Sequence, residues 1–199
     1  MDHHQQINQS SGNVEFYTPE ELLILVREVL GTIDLDPASC LLANKVVKAK
    51  NIFTKENDGL SHAWFGKVFM NHPFHRGEKP CKKNCKKKIC KPSSDPKKPT
   101  RGHCLDYEIP SNAEWTNKLA EEYYKGNVEE AICITFSSMS EDWMWPLVQE
   151  VQCFPRGRIH YRKPDGTVDR QATKGSLLTY FGKNPEKFEA VFSAIGKVK

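Results

Sequence analysis

The chain has no apolar run long enough to cross a bilayer, and residues 1–5 carry neither the basic nor the apolar part of a secretory signal. It also has no Gly-x-Gly-x-x-Gly motif, so the sequence does not point to a pyrophosphate-containing cofactor. These absences predict a soluble, cytoplasmic protein with no membrane partner.

A disulfide framework is not expected either, although seven cysteines are present. Disulfide scaffolds are typical of small exported chains, whereas this chain has 199 residues and no export signal. Reduced thiols or metal ligands are therefore favoured. The same length is enough for one α/β domain and too short for two ordinary enzyme domains.

Positive charge is concentrated in one segment of the chain. Residues 78–101 hold ten of the 29 Lys and Arg but only two of the 25 Asp and Glu, so the remainder has a net charge of −4. Attraction to phosphate must therefore come mainly from this segment and from local patches.

Strands alternate with helices along the chain. The hydrophobic pattern predicts strands at 32–36, 67–70, 131–136, 157–161 and 176–181. It predicts helices at 19–30, through 42–46, at 112–126, at 143–151 and from 185 onward. This order is typical of an α/β fold with a mostly parallel sheet flanked by helices, which binds ligands at the carboxyl ends of its strands.

The domain organisation follows from composition. Residues 1–13 are polar and are interpreted as a flexible N-terminal tail, and 14–199 as a single domain with a Cys- and Lys-rich insert at about 76–106. Capping boxes are predicted at Thr18 with Glu21 and at Ser111 with Glu114.

Two predicted strands end on side chains suited to binding. Asp34-Leu35-Asp36-Pro37 closes the first, where a carboxylate can accept hydrogen bonds from a ribose or an amino group, or can simply cap the next helix. Asn71-His72-Pro73-Phe74 closes the second and combines a polar side chain, a rigid turn and an aromatic ring. An ordinary strand-to-loop turn is the alternative interpretation of this motif.

An ordered series of motifs resembles the phage-type DNA N6-adenine methyltransferase (Dam) family over nearly all of residues 15–182 except the insert. The matching segments are Phe16-Tyr17-Thr18-Pro19, Ile33-Asp34-Leu35-Asp36-Pro37-Ala38-Ser39, Asn44, Phe53-Thr54, Asp58-Gly59-Leu60, Asn71-His72-Pro73-Phe74, Gly157-Arg158-Ile159-His160-Tyr161 and Gly175-Ser176-Leu177-Leu178-Thr179-Tyr180-Phe181-Gly182. Several motifs in a fixed order are more specific than any one of them.

The resemblance implies a Rossmann-like class I S-adenosylmethionine-dependent methyltransferase fold and a phage or prophage origin. It implies S-adenosylmethionine as cofactor and the N6 amine of a flipped adenine in double-stranded DNA as acceptor. The implied cofactor-binding residues are Tyr17, Thr18, Pro19, Asp34, Asp36, Pro37 and Asp58. The implied catalytic residues are Asn71, His72, Pro73 and Phe74, with Phe74 stacking on the target base unless it packs in the core.

The motif departs from the family at its second position, where His72 replaces a proline. The Asn71 side-chain oxygen and the backbone carbonyl of residue 72 can still accept the two amine hydrogens, but the fixed φ angle of proline is lost. We expect activity to survive in reduced or altered form. A second interpretation makes His72 a group that titrates near neutral pH.

The insert offers four thiols, Cys81, Cys85, Cys90 and Cys104, in a segment too polar to form a core. A structural zinc ion would supply the missing folding energy, with His103 or His75 as a substitute ligand. Free thiols in a mobile loop and disulfides are the alternatives. The other cysteines, Cys40, Cys133 and Cys153, are interpreted as packing residues.

The insert also offers a run of lysines that would meet DNA phosphates without reading the sequence. The predicted contacts are Lys82, Lys83, Lys86, Lys87 and Lys88. The alternative is a solvated surface loop. Two rival functions also stay open: a non-catalytic DNA-binding protein on a degenerate methyltransferase fold, and methylation of another exocyclic amine such as cytosine N4.

Overall fold

The computed structural model describes residues 16–94, 100–168 and 174–199, and the predicted N-terminal tail lies outside them. The helices within these residues are α1 (Glu20–Leu30), α2 (Leu41–Val47), α3 (Asn112–Tyr124) and α4 (Pro185–Phe192). None of the helices in the described part of the chain is both long and apolar enough to cross a membrane.

The described strands form a seven-stranded sheet and a two-stranded ribbon. In spatial order the sheet contains β2 (Asn51–Ile52), β1 (Leu35–Asp36), β3 (Gly66–Met70), β6 (Val128–Phe136), β8 (Ser176–Phe181), β7 (Val151–Pro155) and β9 (Gly196–Val198). Pairing is parallel from β2 to β6 and antiparallel from β6 to β9, so that only β8 and β9 oppose the other five. The predicted α/β fold with a mostly parallel sheet is confirmed, and it is compatible with a Rossmann-like arrangement.

Each face of the sheet carries its own hydrophobic core, because successive residues of a strand point to opposite faces. Phe69 and Ile132 belong to a core shared with α1 and α4, whereas Val68 and Ala131 belong to a core shared with α3. Burial on both faces explains why β6 reads as a nearly continuous apolar run.

Two predicted elements are wrong, and the pattern did not predict β2, β7, β9 or the two strands of the ribbon. The helix expected at 143–151 is a short 3-10 turn, Asp142–Met144, followed by further turns and by β7, because Pro146 interrupts a helical hydrogen-bond pattern. Residues 157–161 alternate in burial like a strand, but they do not pair in the sheet. Among the strands that were not predicted, β9 has only three residues and pairs at the sheet edge.

The two predicted capping boxes have different outcomes. Ser111 and Glu114 form a reciprocal capping box at the start of α3. The box at Thr18 and Glu21 is wrong, because α1 begins after Pro19 without a side-chain cap and the Thr18 hydroxyl is bonded elsewhere.

Candidate functional site

The carboxyl ends of β1, β2, β3, β6 and β7 lie along one edge of the sheet, because these five strands run in the same direction. Asp36 ends β1, and Asn71 follows β3, which is paired directly with β1 through Leu35 and Val68. Thr18 joins this edge through a hydrogen bond to Asn71. We call Thr18, Asp36 and Asn71 the strand-end site.

Asn71 is half-buried, and the nitrogen of its side-chain amide is already hydrogen-bonded. The Nδ2 group donates to the hydroxyl of buried Thr18 over 3.0 Å. Among the described residues no donor bonds to Asn71 Oδ1 or to the backbone carbonyl of His72. Two acceptors therefore remain at the end of β3, on consecutive residues.

His72 fills a buried slot beneath the turn rather than facing the site. Its side chain is 2% exposed, and its ring stacks on Trp115 with centroids 5.9 Å apart. Nε2 lies 3.3 Å from Asn112 Oδ1, while Nδ1 is buried without a hydrogen-bond partner among the described residues. This geometry makes the ring a packing element that anchors the turn to α3.

The interpretation of His72 as a group that titrates near neutral pH is wrong. Burial lowers the pKa of His72 from 6.5 to about 4, because the charged imidazolium loses its hydration, although the hydrogen bond to Asn112 partly opposes the shift. The ring is therefore neutral at pH 7, with its hydrogen on Nε2 facing Asn112.

Acid should destabilise the protein through His72. The unfolded chain takes up a proton near pH 6.5, whereas the folded chain resists until about pH 4, so stability present above pH 6.5 is lost as the pH falls between these values. The loss should reach roughly 3 kcal/mol. Denaturant unfolding of wild type and His72→Gln at several pH values checks this, because the variant lacks the titrating ring. Equal acid slopes in the two proteins would contradict it.

Phe74 is half-buried and packs on Phe136, the last residue of β6, with ring centroids 4.2 Å apart. It also borders the core that contains α1. Pro73 between His72 and Phe74 is exposed. Both predicted alternatives for Phe74 thus have a structural basis, and its stacking on a base stays a prediction.

Asp36 is a buried carboxylate at the carboxyl end of β1. It is 3% exposed, accepts a hydrogen bond from the backbone N–H of Ala38 over 3.2 Å, and forms no ion pair with any described residue. Burial raises its pKa to about 6, because no cation replaces the lost water. A ligand that donates hydrogen bonds here would favour the ionised form.

The other expected pocket residues are Tyr17, Pro19, Pro37, Asp58 and Asp34, and Pro37 directly follows Asp36 in the chain. Tyr17 accepts a hydrogen bond from Cys40 at the start of α2, and Pro19 and Pro37 are buried. Asp58 caps a 3-10 turn at a positive φ of 43°. The next residue, Gly59, packs so closely on the carbonyl of Pro37 that a Cβ would come within 1.9 Å of the oxygen.

Asp34 does not join this group. It precedes β1 and lies toward the amino ends of the strands, where it pairs with Lys50 Nζ at 2.7 Å and accepts from the backbone N–H of Lys67. The hydrogen bond from Lys50 lowers the pKa of Asp34. Its carboxylate is already occupied, so we leave Asp34 out of the proposed pocket.

No protein-family model, curated protein or solved structure matches this chain.

The insert brings its four predicted thiols together. The sulfur atoms of Cys81, Cys85, Cys90 and Cys104 all lie within 4.8 Å of one another, and we call them the thiol cluster. All four are free, so the disulfide alternative is wrong. His75 and His103 use Nδ1 in local backbone hydrogen bonds, and neither belongs to the cluster. Four such groups could hold a metal ion.

The thiol cluster is joined to its surroundings by a charged network. Arg101 donates to Cys90 Sγ over 3.2 Å and to Glu78 over 3.0 Å, and Lys87 also pairs with Glu78. The Arg101 hydrogen bonds hold the pKa of Glu78 at about 2. The backbone N–H of Lys87 lowers the pKa of Cys85 to about 7, which favours the thiolate that a metal binds.

The base of the insert reaches the Asn71 turn through Asn112. The ribbon strands β4 (Arg76–Glu78) and β5 (Ile109–Ser111) pair antiparallel, and β5 leads directly into α3. Asn112, the first residue of α3, accepts from the backbone N–H of His75 and donates its own N–H to the carbonyl of His75. Sequence reasoning missed Asn112, because its neighbour Ser111 gives a capping signal but nothing in the pattern reveals the partner loop.

The five predicted DNA-binding lysines of the insert are all exposed. Lys87 differs from the others because it pairs with Glu78 at 3.0 Å. Lys82, Lys83, Lys86 and Lys88 form no ion pair with a described residue and remain the candidates for phosphate contacts.

Proposed function

We propose that this protein is a DNA adenine-N6 methyltransferase that uses S-adenosylmethionine and acts on a flipped base. The observation that supports it best is the amide of Asn71: its Nδ2 is tied to Thr18, which leaves Oδ1 as an acceptor at a strand end. The motif resemblance supplies the chemistry, and the strand-end site supplies side chains suited to it.

The chain's own groups address the weak nucleophilicity of adenine N6. Its lone pair is delocalised into the ring. Methylation would form an N–C bond as the bond between the methyl group and the sulfonium of the cofactor breaks, and one amine hydrogen would leave as a proton to solvent. Asn71 Oδ1 and the carbonyl of residue 72 accept the two amine hydrogens, which favours a pyramidal nitrogen with a localised lone pair. His72 supports the carbonyl from below through Trp115 and Asn112.

The residues at the end of β1 suit the cofactor. S-adenosylmethionine, when bound, supplies an activated methyl group and carries an amino group and ribose hydroxyls as hydrogen-bond donors. Asp36 is buried and lacks a cationic partner among the described residues, so it would accept from one of these donors. Tyr17, Thr18, Pro19, Pro37 and Asp58 would complete the pocket.

Affinity for S-adenosylmethionine should rise with pH up to about 6. A donor bound to ionised Asp36 requires its proton to leave, so below its pKa of about 6 the affinity should fall by about ten-fold per pH unit. Calorimetric titration of wild type and Asp36→Asn between pH 5 and 8 measures this. The variant should bind more weakly and without the pH step; a pH step retained in Asp36→Asn would argue against the assignment.

We further propose that the metal of the thiol cluster is zinc. A tetrahedral zinc ion with bonds of about 2.3 Å to sulfur requires sulfur atoms about 3.8 Å apart. Cys90 lies 3.7 Å from both Cys81 and Cys85. Four thiolates without an open coordination position indicate a structural rather than a catalytic ion.

The basic face of the insert fits the DNA partner. The exposed Lys82, Lys83, Lys86 and Lys88 would neutralise phosphates, while Phe74 would stack on the extruded base. The insert leaves the chain directly after the Asn71 turn, so these contacts would lie at the rim of the site.

The direct test is transfer of labelled methyl from S-adenosylmethionine to unmethylated duplex DNA, followed by analysis of the labelled nucleoside. Label in N6-methyladenine is the expected result. Label in N4-methylcytosine would mean that the acceptor is cytosine instead of adenine, while the proposed catalytic site would stand. If the protein bound cofactor and DNA but transferred no methyl group, the result would favour a non-catalytic DNA-binding protein.

A further inference from the structure

A second basic surface, separate from the insert, follows β7 at the carboxyl edge of the sheet. Ile159 and Tyr161 are buried, so Arg158, His160 and Arg162 point to the opposite face of the segment. With Arg156 they line an open cavity of about 540 Å³.

A neighbouring cavity of about 400 Å³ continues this surface toward β6 and β8. The two cavities share Pro155, Gly157 and Arg158, and we call them together the arginine trough. The guanidinium of Arg158 passes over Gly175, where a Cβ would come within 3.1 Å of Nη1. Gly175 thus leaves room for the arginine between the two cavities.

The arginine trough flanks the Asn71 turn at both ends. One end is lined by Pro19, whose neighbour Thr18 is bonded to Asn71. The other end is lined by Ser137, whose neighbour Phe136 packs on Phe74. A long ligand in the trough would therefore pass beside the candidate catalytic residues.

Among the described residues, most of the positive charge of the trough has no acidic partner. Arg162 pairs with Glu21 over 3.3 Å, and within the described part of the chain Glu21 is the only acid that lines the two cavities. Arg156 and Arg158 are exposed and form no ion pair with any described residue. Lys174 adds a charge at the Ser137 end, with Nζ 5.1 Å from the centre of the Phe136 ring.

We propose that the arginine trough holds the phosphodiester backbone of the DNA strand that contains the target base. Residues two apart on an extended chain are about 6.6 Å apart, so the row from Arg158 to Arg162 spans roughly 13 Å. That length suits a linear polyanion rather than one phosphate group, and guanidinium groups bind phosphate oxygens in pairs. The choice of DNA as the ligand rests on the proposed function. The location of its backbone is inferred from the trough and not from the motif resemblance.

The test measures DNA affinity by fluorescence anisotropy at several salt concentrations, without cofactor. Loss of two phosphate contacts in Arg156→Ala/Arg158→Ala should reduce the slope of log K against log salt by about 1.8. Binding should weaken equally for unrelated DNA sequences. The control is Lys45→Ala/Lys125→Ala, which removes the same charge from exposed positions on α2 and after α3 and should keep the wild-type slope.

Equal slopes in the two double variants would overturn the trough while leaving the proposed function standing. A second result would also overturn the trough. If inorganic phosphate displaced DNA at a much lower ionic strength than chloride does, the site would hold a single anion rather than a DNA backbone. Wild type that binds no DNA at low salt would overturn both proposals together. Each variant should have the same midpoint temperature of thermal unfolding as wild type, so that a change in the salt slope reflects lost DNA contacts rather than misfolding.

Discussion

Asn71→Ala is expected to lower the rate of methyl transfer by roughly 100- to 1,000-fold, the usual effect of removing one preorganised hydrogen-bonding group from a transition state. The change removes Oδ1, which accepts no hydrogen bond from a described residue, and it also removes the Nδ2 bond to Thr18. Because the acceptor works mainly on the reacting amine, kcat should fall far more than affinity for the cofactor. Single-turnover methyl transfer and separate cofactor titration measure the two effects.

Two further variants separate the role of Asn71 from that of its hydrogen-bond partner Thr18. Asn71→Asp keeps an acceptor oxygen and lets the Thr18 hydroxyl reverse its role and donate, so it should retain much more activity than alanine. Thr18→Val keeps the shape but removes the partner of Nδ2, so Asn71 should become less well oriented and kcat should fall by a smaller factor. Equal transfer rates for wild type and Asn71→Ala would remove Asn71 from the catalytic set.

Most of the fold could be predicted because its signals are local. Helices α1, α3 and α4 follow an amphipathic pattern, and the buried strands β3, β6 and β8 are compact apolar runs. The failures come where local patterns compete with tertiary contacts. Ile159 and Tyr161 alternate with exposed residues like a strand, yet their segment bridges to Tyr17 instead of joining the sheet.

In the candidate site, too, the sequence predicts the residue types but not their tertiary contacts. The sequence shows that acids and an asparagine end two strands, but not which of them are free. Asp34 and Asp36 look equivalent in the motif, whereas only Asp36 is at the carboxyl end of β1 and lacks an ion-pair partner among the described residues. His72 likewise resembles a titratable group in the sequence, because the residues that bury it, Trp115 and Asn112, lie 43 and 40 positions further along the chain.

Removal of zinc should have the largest effect on the insert. Structural zinc sites contribute about 10–16 kcal/mol of apparent binding free energy, and few buried apolar side chains of the insert, such as Leu105, could replace it. We therefore expect about one zinc per chain by elemental analysis. Chelation should strongly increase trypsin cleavage at the insert lysines, because cleavage follows the population of the open segment.

Cys85→Ser and Cys40→Ser make a matched pair for this prediction. Cys85 belongs to the thiol cluster, whereas Cys40 caps α2, where serine is also a favourable cap. Only Cys85→Ser should lose zinc and expose the insert to trypsin. Methyl transfer should fall with it, because the ribbon and Asn112 join the insert to the Asn71 turn. A zinc-free wild type with a protease-resistant insert would instead mean that the thiols pack without a metal.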